Sequence, residues 1–247
     1  YKLAGAAKDA GLKVVLTGEG GDELFGGYGR YRRAARWRIL GGRPMRESGV
    51  FDGLGVLREQ GSDWRDGFAQ SEEEATTPER TPLQISQAAD CADWLAHDLL
   101  TKLDRCLMAH GVEGRVPLLD TKLADFALCL PDSLKVKRGM GKWLLRKWLE
   151  EALPQAKPFA RKRGFTVPVG EWIAGRGKEL GPLVAAQPGI EEICNPGSVE
   201  RLFANIGVRG GKKTGQAAWV LLFYALWRQR HIQGDEPDGG VFDVLGG

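Results

Sequence analysis

The chain has 247 residues, 43% of them hydrophobic, enough to build a full core in one or two ordinary domains. Lysine and arginine total 35 against 32 acidic residues, a formal charge of +3 that gives little support to a nucleic-acid or membrane-surface partner. The longest apolar run, Ala217–Trp227, falls short of the roughly 20 residues of a membrane span and reads as a core helix. Cys91, Cys106, Cys129 and Cys194 show no close pairing. They read as reduced core thiols, which fits the cytoplasm. No signal peptide precedes Tyr1, and the absence of an initiator Met makes the chain read as a fragment.

Lys2–Ala10 reads as the end of a helix that Gly11 terminates. Val14, Val15 and Leu16 are β-preferring and apolar, which predicts a short buried strand. Thr17–Gly21 then forms a tight turn. Gly18, Gly20 and Gly21 permit positive φ and let a ligand approach the backbone N–H groups. Asp22 and Glu23 open a helix, where a capping carboxylate and negative charge suit the N-terminus. A capped corner without chemistry would explain all of this except Glu19. That carboxylate sits inside the turn, too early to cap. Beside Asp22 it brings two acids to one phosphate-sized concavity, an arrangement that normally requires a divalent metal.

The pattern next predicts a helix over Leu24–Leu40, whose arginines at 30, 32, 33, 36 and 38 spread around the circumference as on a solvated helix. Residues 41–86 lose periodicity and predict short helical pieces and loops, with a solvated acidic run at Glu72–Glu74 and punctuation at Pro78 and Pro82. From Gln87 to His110 apolar residues recur at helical spacing, giving one long helix. Asp98 and Lys102 lie four apart on it, as in a surface ion pair contributing at most about 0.5 kcal/mol. His110 reads as a cap before Gly111 rather than a ligand.

Helices are expected at Thr121–Leu130 and Lys142–Leu153. A basic loop over Lys157–Gly164 follows, in which Phe165 would anchor the turn that aims Lys162. Further helices are expected at Val169–Ala174, Ser198–Asn205 and Thr214–His231, then a disordered tail over 233–247. Gly207–Thr214 faintly resembles a phosphate-binding P-loop. Lys212 stands where that motif needs its second glycine, and Thr214 as an N-cap explains the stretch better.

Several blocks together carry a resemblance. Thr17-Gly18-Glu19-Gly20-Gly21-Asp22-Glu23-Leu24-Phe25-Gly26-Gly27-Tyr28 closely resembles the second nucleotide-binding motif of the synthetase domain of glutamine-hydrolysing asparagine synthetases. Asp98–Arg105, running on through Met108–Asp120, is similar to the family's long central helix and the loop after it. Gly141–Lys147 agrees too, as does Arg161-Lys162-Arg163-Gly164-Phe165 with Val167-Pro168. The four blocks keep the family's order over roughly two thirds of the chain, which makes them more specific together than singly.

The resemblance implies a mainly α chain, the C-terminal part of an α/β adenine-nucleotide hydrolase-like (PP-loop) synthetase domain, with one or two remnant parallel strands at its start. That domain would span residues 1–232. It implies ATP-dependent amide formation, in which the aspartate side-chain carboxylate attacks the α-phosphorus and glutamine-derived ammonia displaces AMP from the acyl-adenylate. Thr17, Gly18, Gly20 and Gly21 would bind nucleotide and Asp22 would share Mg²⁺. Glu19 would handle the proton that ammonia loses. Lys162, with Lys142 as a second candidate, would meet the charge on the α-phosphate and pyrophosphate. Asp98 would face the substrate carboxyl pocket. If these residues share one site, the charged ends of Glu19, Asp22, Lys142 and Lys162 must meet within about 10 Å.

Expected partners are aspartate and the N-terminal glutaminase domain of the same protein, and a homodimer is compatible. The family's Ser-Gly-Gly-x-Asp-Ser phosphate loop is absent from this sequence, as is the glutaminase domain with its first-position cysteine, so the chain reads as the later portion of the synthetase domain. Two alternatives stay open. One is a relative adenylating another carboxylate, such as a β-lactam synthetase, a macrocyclase or an amidotransferase on polysaccharide precursors; Glu19 stands where β-lactam-forming relatives carry tyrosine. The other is a non-catalytic helical interaction module.

Overall fold

A parallel pair of short strands carries the acid-rich turn, and helices build nearly everything else in the computed structural model, which describes residues 1–43, 45–59, 61, 63–160, 167–207 and 211–246. The chain divides into two compact units, Tyr1–Glu47 with Asp63–Lys162, and Ser48–Ser62 with Arg163–Gly247, where the sequence reads as one domain over 1–232. No helix among the described residues is long and apolar enough to cross a membrane.

The first unit opens with α1 (Lys2–Asp9), stopped by Gly11 at φ +74°, and β1 (Val14–Leu16). β1 pairs in parallel with β2 (Glu113–Arg115), in the register Val14 to Glu113, Val15 to Gly114 and Leu16 to Arg115. Only Val15 turns toward the small cluster of Ala4, Leu103, Leu107 and Val112. Val14 and Leu16 point the other way and stand exposed, Leu16 at 72%, so the expected buried strand is covered on one face only. Alternation along a strand sends neighbours to opposite faces, and among the described residues no layer lies on the second.

The expected helix over Leu24–Leu40 is broken instead into α2 (Gly21–Leu24), α3 (Gly29–Ala34) and a 3₁₀ turn at Arg38–Leu40. Gly26, at φ +70°, forces the first break. Nor are its arginines all solvated. Arg30 donates through Nε to Asp90 Oδ2 at 2.8 Å, and Arg46 Nη2 meets Asp90 Oδ1 at 3.0 Å. Asp90 is fully buried, and Arg30 lies 3.9 Å over the Tyr28 ring. Removing one partner of a buried ion network strands the others, so Asp90→Ala should cost about 3 kcal/mol, read as a lower denaturant midpoint. An unchanged midpoint would mean the network contributes nothing to the fold.

Within 41–86 the structure builds α4 (Asp66–Ala75), in which Glu72 pairs with Arg65 rather than standing free. The long helix starts earlier than Gln87. Thr81 and Gln84 form a reciprocal capping box with Pro82 at the first helical position, an N-terminus worth about 1 kcal/mol. From there α5 (Pro82–Asp90), a π-helical stretch over Cys91–Leu100 and α6 (Thr101–Met108) run without interruption. His110 follows the helix end and packs its ring 4.4 Å from that of Tyr1. The unit is completed by α7 (Thr121–Cys129), capped by Asp120, then α8 (Asp132–Lys135) and α9 (Trp143–Ala152). Its larger clusters centre on Tyr31, Met45, Phe68 and Leu83, and on Leu24, Phe25, Ala127 and Leu130. All four cysteines are free, though Cys129 is exposed rather than in the core.

The second unit contains α10 (Val169–Ala174), α11 (Gly177–Ala185), α12 (Pro188–Ile193), α13 (Ser198–Ala204), α14 (Gly211–Arg228) and α15 (Val241–Gly246). Ala217, Ala218, Leu221, Leu222 and Ala225 of α14 lie in its core, as the apolar run predicts. Thr214 does not cap this helix. It lies in the first turn and its hydroxyl donates to the Gly211 carbonyl at 3.0 Å. The tail over 233–247 is not wholly disordered either, since α15 buries Leu245 in the same core, an apolar anchor that the surrounding glycines and acids mask in composition.

Candidate active site

Where β1 ends, Thr17 still belongs to the ladder, donating its N–H to the Arg115 carbonyl at 2.9 Å. The chain then turns through Gly18, Glu19 and Gly20. Gly20 adopts φ +86° and, rather than Asp22, is the N-cap of α2. A Cβ there would lie 2.2 Å from Leu119 Cδ2, so this glycine serves close packing against the Pro117–Leu119 turn. Gly21 is likewise pressed against Leu118, whereas Gly18 faces open space. The ligand approach expected of all three glycines is therefore open at Gly18, and the other two fix the shape of the turn.

Among the described residues no protein acceptor meets the N–H groups of Gly18, Glu19 and Gly20. The Thr17 hydroxyl is buried and has no hydrogen-bond partner among the described residues. Buried polar groups are nearly always satisfied in native proteins, so the Thr17 hydroxyl leaves a hydrogen bond to be made at this turn, beside the exposed backbone of Gly18.

Glu19 is half-buried. Burial holds its carboxyl above the ordinary value, Glu23 and Asp22 add to the rise, and Lys102 opposes it. Asp22 accepts from Lys142 Nζ at 3.0 Å, a contact spanning most of the first unit in sequence. Two close approaches that only glycine permits hold that pair. A Cβ on Gly27 would come within 1.8 Å of Asp22 Oδ1, and one on Gly141 within 2.2 Å of the Gly26 carbonyl. Lys142, itself at φ +57°, donates its N–H to the Phe25 carbonyl at 2.9 Å. Glu23 is fully buried and accepts from the Tyr28 hydroxyl at 2.7 Å; burial, and then that bond, push the phenol well above its usual range.

Of the residues that the sequence singles out, Glu19, Asp22 and Lys142 thus come together on the turn of Thr17–Gly21. Lys162 lies outside the described residues, as do Arg161, Arg163, Gly164 and Phe165. The segment leading to them is anchored to α9: Arg146 donates to the carbonyls of Gly141 and Pro158, and Trp143 meets Phe159 edge-on at 5.3 Å. Asp98 sits half-exposed in the π-helical stretch and forms no ion pair with Lys102 among the described residues. The π-helical winding before it changes the angular offset per residue, which the i, i+4 argument does not anticipate. Lys102 acts on Glu19 instead, a role that spacing gives no sign of because the partner is 83 positions earlier in the chain.

Among the described residues no three His, Cys, Asp or Glu side chains converge as a metal cage. Mg²⁺ does not need one, since it is usually held by one or two carboxylates together with substrate phosphates, and Asp22 beside Glu19 is a donor set of that hard-oxygen kind.

The structure thus defines a mainly helical α/β protein in which a glycine turn at the end of a parallel strand is bordered by carboxylates and a lysine. The chain belongs to the asparagine synthase family, whose profile matches residues 1–229. It is 26% identical to asparagine synthetase [glutamine-hydrolyzing] 1 of Bacillus subtilis, over 94% of this chain and 43% of that protein. It is 28% identical to asparagine synthetase B [glutamine-hydrolyzing] of Escherichia coli, over 70% of this chain and 24% of that protein. With asparagine synthetase [glutamine-hydrolyzing] of Asparagus officinalis the identity is 26%, over 71% and 24%. The chain therefore spans less than half the length of these curated relatives. No solved structure is significantly similar to it.

Proposed function

We propose that this chain is the later part of the synthetase domain of an ATP-dependent ligase that makes asparagine from aspartate and glutamine-derived ammonia, with release of AMP and pyrophosphate. The observation that carries the proposal is the glycine turn of Thr17–Gly21 next to two carboxylates, with backbone N–H groups at Gly18, Glu19 and Gly20 and a buried Thr17 hydroxyl that meet no protein acceptor among the described residues. Those groups bind phosphate oxygens of the nucleotide. Asp22 would hold Mg²⁺, which when bound neutralises phosphate charge. Lys142 keeps Asp22 aimed, and Lys162 meets the charge that grows on the α-phosphate and pyrophosphate as the aspartate carboxylate attacks. Glu19, held above its ordinary pKa, takes the proton that ammonia loses on attacking the acyl-adenylate. The glutaminase domain that frees the ammonia, and the phosphate loop that completes the ATP site, belong to the full-length protein.

The direct test is aspartate-dependent exchange of pyrophosphate into ATP, and asparagine formation, by the full-length protein. Exchange driven by a different carboxylate would overturn the substrate assignment. No exchange with any carboxylate would overturn the ligase.

Glu19 also sets an expectation for pH. A general base with a raised pKa loses activity as pH falls through that value, so the acid limb of asparagine formation should lie above the ordinary glutamate value of about 4.3. Lys102 lowers the Glu19 pKa, and removing that charge lets it rise further. Lys102→Met should therefore move the acid limb to higher pH, measured with free ammonia so that glutamine hydrolysis does not intrude. An unmoved limb would mean that a group other than Glu19 sets it.

A further inference from the structure

The helix that follows the glycine turn is held from a second direction by a fully buried lysine. Lys135, the last residue of α8, donates to Gln87 Oε1 at 2.9 Å and to the Leu128 carbonyl at 3.1 Å. Gln87, fully buried as well, turns its amide nitrogen the other way and donates to the carbonyl of Glu23 at 2.5 Å. An ammonium only donates and a carbonyl only accepts, so the Gln87 amide has one orientation that satisfies both neighbours. The Glu23 carbonyl is among those that the end of a short helix leaves without an intrahelical donor. The stem of Lys135 reaches the same loop, since a Cβ on Gly26 would lie 3.4 Å from Lys135 Cβ.

Among the described residues no carboxylate hydrogen-bonds to Lys135, and burial lowers its pKa. A buried ammonium held only by neutral acceptors carries a desolvation cost, and an apolar side chain of similar volume would fill the space with less. What the lysine provides that an apolar residue cannot is a fixed orientation of Gln87, and through it a fixed α2. We infer that Lys135, acting through Gln87, is a positioning residue that sets α2 and hence the turn carrying Glu19 and Asp22 in register for nucleotide binding. The inference rests on the proposed ATP site.

The test separates positioning from support of the fold. Gln87→Glu is close to isosteric and gives Lys135 a carboxylate partner, which should preserve the thermal midpoint, but it sets an acceptor against the Glu23 carbonyl. In the full-length protein this variant should bind ATP with Mg²⁺ about tenfold more weakly by calorimetry and slow aspartate-dependent exchange by about 10²-fold, the scale on which small misplacements act. Lys135→Met leaves the Gln87 amide free to turn and should weaken ATP binding in the same direction. If both variants bind ATP as the wild type does, the couple only supports the fold and the inference is overturned. If one variant fails to fold, the ATP affinity of the other decides in the same way. Wild-type protein that binds no ATP would instead remove the ATP-site reading, and the inference with it.

Discussion

Glu19→Ala in the full-length protein should abolish asparagine formation and leave glutamine hydrolysis intact. The turn does not need this carboxylate for its shape. Its geometry is set by Gly20 against Leu119, Gly21 against Leu118 and the ladder bond from Thr17 to Arg115, and none of these involves the Glu19 side chain. Burial and the neighbouring acids disfavour a charge at Glu19, so removing it should leave the thermal midpoint unchanged or slightly raised. Loss of a positioned base typically costs about 10²–10⁴ in rate, and here the step that uses it is the one that forms the amide. The measurement is glutaminase and synthetase activity side by side, with aspartate-dependent exchange as a third readout that should survive. Full synthetase activity in this variant would remove Glu19 from proton handling. A parallel fall in all three activities and in stability would make it a structural residue.

Lys162→Ala should block the earlier half-reaction, seen as loss of aspartate-dependent pyrophosphate exchange, while Lys142→Ala should weaken it without abolishing it. The contrast follows from what Lys142 already does. Its ammonium is bonded to Asp22 and its backbone to Phe25, so it orients an acid of the turn. A cation in that role is partly replaceable by the metal that Asp22 would share, and Lys142→Ala should show as a raised Mg²⁺ requirement. Lys162 is the cation proposed for the charge that appears only as the α-phosphate is attacked, and removing one such group costs about 10²–10³ in rate. Equal losses in both variants, with no change in the Mg²⁺ requirement, would merge the two roles.

Much of the site is legible in the residues themselves. A β-preferring triplet, glycines around a lone carboxylate and two acids opening a helix have local causes, so Val14–Leu16, the turn of Thr17–Gly21 and the opening of a helix at Asp22 and Glu23 can be read from short windows, though not the end of α2 at Leu24. The same holds for the helix through Leu107, where apolar spacing over many residues outweighs the π-helical winding inside it, and for α10, matched end to end at Val169–Ala174. What short windows cannot supply is which distant groups meet. The pairing of Asp22 with Lys142 depends on Gly27 and Gly141 permitting two close approaches. Arg30 leaves the solvated set because Asp90, sixty positions away, is buried beside it. Composition makes residues 233–247 look unstructured, yet one leucine near their end finds a core to enter. Gln87 and Lys135 look like a helix glutamine and a surface lysine by type, and only burial gives them a role. By itself the sequence determined the local conformations and the chemical kinds of group at the turn, because backbone propensity and side-chain type act over a few residues. The tertiary structure decided which carboxylate is paired, which is pushed up in pKa and which glycines are spent on packing, because those depend on burial and on neighbours that the chain brings in from far along its length.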